Sequence, residues 1–399
     1  MNKIVLSALA ALTLGTVAAT AGDIKLYTDS NGQVFTTPAE GRTELVKSAP
    51  TLASHASKLQ FSGLTYLGYT FNDYKNGLTS DGTTPYAEDT SAFEIRRGYF
   101  QLKAYLLDDP KSYYRVTFDL KQDSDIDKGS VVVRAKYAYL YLNEILPATG
   151  VELGLVHRPW HDYEEHNAWY FRNISKVMVE ASNGAHLSNS ADFGANFKTK
   201  TQYFDSEIGI FNGEGYHGFQ NSPTGMSLEW RATAHLLGVN GKDKQGEKTY
   251  FDASFFGQYN VDHNTAAIGE DQDLVFAGLH TVYNEPSFLV SAQYIYSDNT
   301  SDITNNVSEQ AGSGYSLNGE YRLGAKKEYR ILGRYDSWTT EKENAADEKE
   351  NVSYIAGLAW DQSKNVQWVA NAIITDNENG SDREEENGVA YMLTAQVEF

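Results

Sequence analysis

Gly388-Val-Ala-Tyr-Met-Leu-Thr-Ala-Gln-Val-Glu-Phe399 ends the chain, and it reads with a period of two. Val389, Tyr391, Leu393, Ala395, Val397 and Phe399 fall on one face, and Ala390, Met392, Thr394, Gln396 and Glu398 on the other. Successive side chains of a strand point to opposite sides, so this stretch has one oily face and one wet face. Moving inward, residues 226–237 oppose Leu228, Trp230, Ala232, Ala234 and Leu236 to Glu229, Arg231, Thr233 and His235. Residues 112–121 set Tyr114, Val116, Phe118 and Leu120 against Tyr113, Arg115, Thr117, Asp119 and Lys121. Helical spacing is hard to find anywhere after residue 58.

Sixteen such stretches follow one another: 59–72, 92–106, 112–121, 131–142, 151–157, 190–197, 202–211, 226–237, 249–260, 273–283, 288–297, 314–323, 328–336, 351–360, 365–375 and 388–399. The links alternate in length. Short ones such as 107–111, 198–201, 284–287 and 324–327 take turns with long ones at 73–91, 122–130, 158–189, 212–225, 261–272, 298–313, 337–350 and 376–387. The segment 238–248 is longer than its class. Short turns at one rim and long loops at the other are the wiring of an antiparallel up-and-down transmembrane β-barrel. The expected fold is therefore all-β, a barrel of about 16 strands over residues 59–399.

Composition agrees. There is no cysteine, so closure falls to backbone hydrogen bonds rather than disulfides. The 27 tyrosines suit membrane–water boundaries, where an apolar ring with a polar tip is at home. A formal charge of −20 argues against nucleic-acid partners. The eight long loops carry a net −21, so the acidity sits outside the strands; solvated loops explain this more simply than a special acidic surface facing lipopolysaccharide does.

The first 21 residues read as a secretory signal peptide. Lys3 opens it, Ile4 to Val17 is a short apolar run, and Ala19-Thr20-Ala21 is a small-residue cleavage site. That run is too short to span a bilayer, and no later segment offers about 18 uninterrupted apolar residues. Residues 22–58 form a separate piece, expected to be periplasmic. Leu26 to Phe35 reads as a hairpin around Asn31-Gly32, and a Pro/Ala/Ser-rich linker follows.

A barrel of this size leaves an aqueous lumen, and the charges that line its narrowing set selectivity. The wet faces of the second to fourth stretches carry Arg97, Lys103, Arg115, Lys121, Arg134 and Lys136, and these three stretches sum to +5 while the other strands sum to −7. Arg96 is out of phase unless a bulge intervenes. The longest loop, 158–189, begins Arg158-Pro-Trp-His-Asp-Tyr-Glu-Glu-His166 and continues through Trp169-Tyr-Phe-Arg172. So many aromatics would be a liability in solvent. Folded back, the loop would place Arg158 with the basic wall and present Asp162, Glu164 and Glu165 to the channel as a constriction. An outer loop making a subunit contact is the other option.

Three passages resemble a known family. Phe93-Glu-Ile-Arg-Arg-Gly-Tyr-Phe100, with Asp108-Asp109-Pro110, resembles the early paired-arginine strand and turn of the phosphate-selective porins and of related porins in campylobacter-like (epsilonproteobacterial) bacteria. Gly154-Leu-Val-His-Arg-Pro-Trp160 resembles the passage that opens that family's constriction loop. Terminal Phe399 resembles the signal read by the barrel-assembly machinery. The resemblance implies an outer-membrane homotrimer, one pore per subunit, set among outer-membrane lipid and lipopolysaccharide and passing small hydrophilic solutes or ions without a cofactor. The family's dense lumenal ladder of cations is largely missing beyond the fourth stretch.

The same residues support other functions less well. His157, His161 and His166 lie among carboxylates but match no zinc spacing, so no metal is expected. No Gly-x-Ser-x-Gly turn supports an enzyme. A structural or adhesive surface protein with a blocked lumen remains the alternative, and inward Leu and Phe would be its mark.

Overall fold

Residues that alternate oily and wet can satisfy every backbone group only by pairing edge to edge until the sheet meets itself. The computed structural model describes residues 27–29, 34–35, 39–44, 58–105, 109, 111–122, 130–213, 215–216, 225–239, 248–261, 273–298, 310–342, 349–379, 381 and 383–399. The chain divides into two units, Met1–Leu59 and Gln60–Phe399. In the first, β1 (Tyr27–Thr28) pairs antiparallel with β2 (Val34–Phe35) and with β3 (Thr43–Glu44), Tyr27 standing opposite Phe35 and Glu44. The third strand was not anticipated. The Asn31-Gly32 turn and the signal peptide lie outside the described residues.

The second unit is a closed antiparallel barrel of sixteen strands. They are β4 (Leu59–Tyr74), β5 (Thr90–Tyr105), β6 (Tyr113–Gln122), β7 (Val131–Leu146), β8 (Thr149–His157), β9 (Ala191–Lys200), β10 (Phe204–Phe211) and β11 (Ser227–His235). The circuit continues with β12 (Tyr250–Asn260), β13 (Leu274–Glu285), β14 (Phe288–Asp298), β15 (Gln310–Leu323), β16 (Tyr329–Lys342), β17 (Lys349–Asp361), β18 (Val366–Asn377) and β19 (Gly388–Glu398). β19 returns to β4 with Leu393 opposite Tyr69, so no sheet edge remains. Phe399 seals that seam: Gly63 N donates to its carbonyl at 2.9 Å, and its own N donates to Gly63 O at 3.1 Å.

Every stretch read from the sequence holds one strand, but several strands run further. β16 continues to Lys342 and β15 starts at Gln310. Ladder hydrogen bonds persist past the point where an oily face is needed, so polar extensions carry no alternation to read. Outside, Phe93 is 88% exposed, and Leu279 and Leu358 each 62%. An apolar outer wall of this kind is what hydrocarbon accepts and water does not.

Two breaks in alternation shape the interior. Thr117 pairs with Tyr137 and Phe118 with Ala135, leaving Lys136 as the extra residue of a bulge on β7. Both Lys136 and Tyr137 therefore turn inward and are buried. On β5, Phe93 and Ile95 face out and so does Phe100, which brings Arg96 and Arg97 to the same inner side. Gly154 of β8 takes φ +128, and its backbone lies so close to β7 that a Cβ there would collide with the Ala138 carbonyl.

Candidate pore-lining site

After His157 the chain leaves the wall and turns into the barrel. A short helix, α1 (His161–Asn167), opens the loop. Trp160, just before it, stacks on Phe256 of β12 with ring centroids 3.8 Å apart and planes within 5°. Further along, Arg334 of β16 donates to Lys176 O at 2.7 Å, Asn183 to Ser353 Oγ of β17 at 2.9 Å, and Asn173 to Thr394 Oγ1 of β19 at 3.0 Å. Contacts to strands so widely spaced around the circle place the loop inside the lumen.

The loop's aromatic and aliphatic residues form a dry core with the inner wall of β12–β19. Trp169, Phe171, Ile174, Val177 and Met178 pack with Phe276, Ile295, Leu332, Trp338 and Ile355. Inward apolar residues were expected only in a blocked barrel; here they are the seat of the loop. Among the described residues, polar space remains in at least two cavities. One, of about 920 Å³, opens toward the short turns and the C-terminus. The other, of about 720 Å³, opens toward the long loops. Tyr66 and Arg172 border both.

The basic residues read from the wet faces divide into three groups. Arg97 and Arg134 converge on one carboxylate, Asp119 Oδ2, at 2.8 and 2.9 Å, and both line the loop-side cavity. Arg115 and Lys136 line the turn-side cavity. Arg115 donates to Tyr139 Oη at 3.2 Å, and Lys136 to Tyr99 Oη at 3.0 Å. Lys103 lies over the Tyr113 ring at 4.5 Å and borders neither cavity. Lys121 is on β6, but its side chain lies outside the described residues.

Arg158 and Glu164 are corrections. Arg158 was expected in the basic pore wall but is wholly buried at the root of the loop, where it pairs with Asp192 at 2.8 Å and with Glu229 at 3.4 Å. Entry and exit of the loop both lie at this point, and a guanidinium fork joins several acceptors at once. Glu164 was expected to face the channel, yet it points into the dry core and accepts from Gln293 Nε2 at 2.9 Å. The helical turn of α1 decides this, since Asp162, Glu164 and Glu165 cannot all share one side. Asp162 and Glu165 do border the turn-side cavity. Glu165 is paired with Arg172, which also holds Glu180 at 2.9 Å. Burial would raise Asp162, but His157 and His166 beside it hold it well below the usual range.

Of the three histidines, His157 of β8 and His166 both reach Asp162 Oδ1, at 3.7 and 3.5 Å, but His161 does not join them. His161 is buried with its ionisation pushed down to about 3 by desolvation, whereas His166 is largely exposed. Among the described residues no group of three or more His, Asp or Glu is placed to hold a metal.

Burial pushes Glu164 up to about 7. Its proton is held more tightly in the docked loop than in the open chain, so its contribution is complete below about pH 4.5 and is lost as pH rises through 7. Glu164→Gln is expected to remove that loss, making the loop more stable than wild type by about 3 kcal/mol at pH 8 and by nothing at pH 4. The temperature at which the folded band disappears in detergent gels, read at both pH values, checks it. An equal difference at both pH values would refute the assignment.

Sequence reading missed Tyr66, Tyr99, Arg172 and Glu180. Tyr99 was legible, being in phase with Arg97 and Lys103. Arg172 and Glu180 stand in a loop without period, where no spacing signals them.

No family model matches the chain, and no curated protein matches it in sequence. Solved structures do. The anion-selective porin from Comamonas acidovorans superposes with a TM-score of 0.59 at 12% identity, covering 86% of this chain and 99% of that one. The fold is that of the outer-membrane porins. Pseudomonas putida OprB, determined at high pH, gives 0.57 at 12% identity, covering 88% and 96%. The porin fold is shared as well by in-vitro-folded OmpT, an outer-membrane protein of Vibrio cholerae described in a trimer form, at 0.55 and 11% identity, covering 86% and 99%.

Proposed function

We propose that the chain is an outer-membrane porin, a water-filled channel for small hydrophilic solutes that favours anions. One observation carries this: of two polar cavities inside a closed barrel, bordered in common by Tyr66 and Arg172, the loop-side one has more cations than carboxylates in its lining. The residues lining the loop-side cavity include Arg96, Arg97, Arg134, Arg172 and Lys176 against Glu94 and Glu386. Arg172 belongs to the loop, so wall and loop together line this space, and Asp119, Glu165 and Glu180 pair with its arginines. Charges lining a low-dielectric narrowing act on every permeating ion, whereas the acidic outer loops act through water and salt.

Planar-bilayer recording across a KCl gradient tests it. The reversal potential is expected to have the sign of chloride preference. Lys136→Glu changes the fixed charge by two units; at about 5 Å in water-like dielectric this is about 1.7 kcal/mol on each ion with opposite signs, so the chloride-to-potassium ratio should shift on the order of a hundredfold toward cations. A cation-selective wild type would refute the anion preference. Channel silence would favour the blocked-lumen surface protein, for which the dry core beneath the loop is the supporting observation.

A homotrimer is part of the proposal, supported by the trimer form of the similar OmpT. The exposed Phe399 ring at the barrel seam suits a tag read during assembly in the outer membrane, and the segment 22–58 is assigned to the periplasm. Kinship with the phosphate-selective porins rests on the three sequence passages; Arg96 and Arg97, both turned inward, are consistent with it.

A further inference from the structure

The turn-side cavity has an uncommon lining for a conduit of simple ions. Tyr66, Tyr99 and Tyr137 border it from the wall, and Tyr163, Tyr170 and Tyr250 border it from the loop and β12. Its carboxylates are largely met from within. Asp205 and Glu207 pair with Arg231, Asp252 with His235, and Glu165 with Arg172. Arg115 and Lys136 differ, since neither makes an ion pair among the described residues. Lys136 is 97% buried, and its ammonium donates to the Tyr99 hydroxyl at 3.0 Å. The two cations share one ring, Arg115 lying 4.8 Å and Lys136 5.4 Å from the Tyr137 centroid.

A buried ammonium satisfied only by a phenol and aromatic faces still lacks a counter-charge. A carboxylate supplies it with two charge-assisted hydrogen-bond acceptors. Phenol rings around the same space offer offset or edge contacts to a flat ring and gain less from a spherical or tetrahedral anion. We propose that this cavity is a binding site for small aromatic carboxylates, with Lys136 and Arg115 holding the carboxylate and the surrounding tyrosines holding the ring. The site deepens the porin proposal and rests on it.

Single-channel recording with benzoate, cyclohexanecarboxylate, acetate or phosphate on the turn side tests it. Benzoate is expected to interrupt the current with a residence time roughly tenfold that of acetate, and cyclohexanecarboxylate to fall between. Lys136→Gln should shorten the benzoate events to the acetate level, and Tyr99→Leu should erase the preference for benzoate over cyclohexanecarboxylate. Both variants are checked for heat-sensitive mobility of the folded barrel. Equal interruption by benzoate and acetate in the wild type, or by phosphate and benzoate, would overturn the site while leaving an anion-preferring porin intact. Unchanged benzoate events in a folded Lys136→Gln would do the same. Absence of any conductance overturns the site and the porin proposal together.

Discussion

Arg158→Met is expected to destabilise the lumenal loop by about 3–5 kcal/mol, the usual consequence of removing one partner from a buried ion pair. Arg158 Nη2 pairs with Asp192 at 2.8 Å, and Nη1 reaches Ser188 Oγ at 2.7 Å, Gln258 Oε1 at 2.9 Å and Glu229 at 3.4 Å. Methionine keeps much of the volume but leaves two carboxylates buried beside an apolar chain. Asp192 retains the Gly213 N–H at 2.8 Å and Glu229 the Ser227 hydroxyl at 2.8 Å, so neither is stranded completely. Adding Asp192→Asn should recover part of the loss, because the residual charge is the larger part of the damage. Urea unfolding in lipid vesicles measures both variants. Equal stability of Arg158→Met and wild type would rule out the staple.

Trp160→Ala should cost a similar 3–5 kcal/mol of loop docking. The indole is 4% exposed, stacks on Phe256 and meets the His280 ring edge-on at 5.0 Å. Truncation leaves a void that the curved barrel wall cannot collapse to fill. The readout is distinct from that of Arg158. An undocked α1 frees part of the lumen, so recordings should show excursions to larger conductance levels. Phe256→Ala removes the other half of the stack and should look alike, with the double variant little worse than either alone. A quiet channel of wild-type conductance in Trp160→Ala would show that this stack does not hold the loop.

The strand ladder was legible because its physics is local. Alternation at 112–121 or 388–399 fixes which side chains face oil whatever the rest of the chain does. The same parity found Arg97, Arg115 and Arg134 on the inner wall. It placed Lys136 there too, without revealing that a bulge brings Tyr137 in beside it. The pairing of Arg97 and Arg134 on one Asp119 was hidden as well, because register between neighbouring strands is set by the whole ladder.

The loop was read only in part. Its aromatics marked it as needing cover, but α1 sends Glu164 into the dry core while Asp162 and Glu165 border the cavity. Arg158 looked like one more pore cation and is a buried staple.

The sequence alone determined a wall of about sixteen strands with one apolar and one polar face, since a period of two is a property of each strand; the closed count of sixteen came from the fold. Only the tertiary structure decided how much of the lumen the loop fills and which cations border the remaining water. Those outcomes depend on meetings between strands and loop, such as Trp160 with Phe256 across a closed barrel, and no local spacing encodes such a meeting.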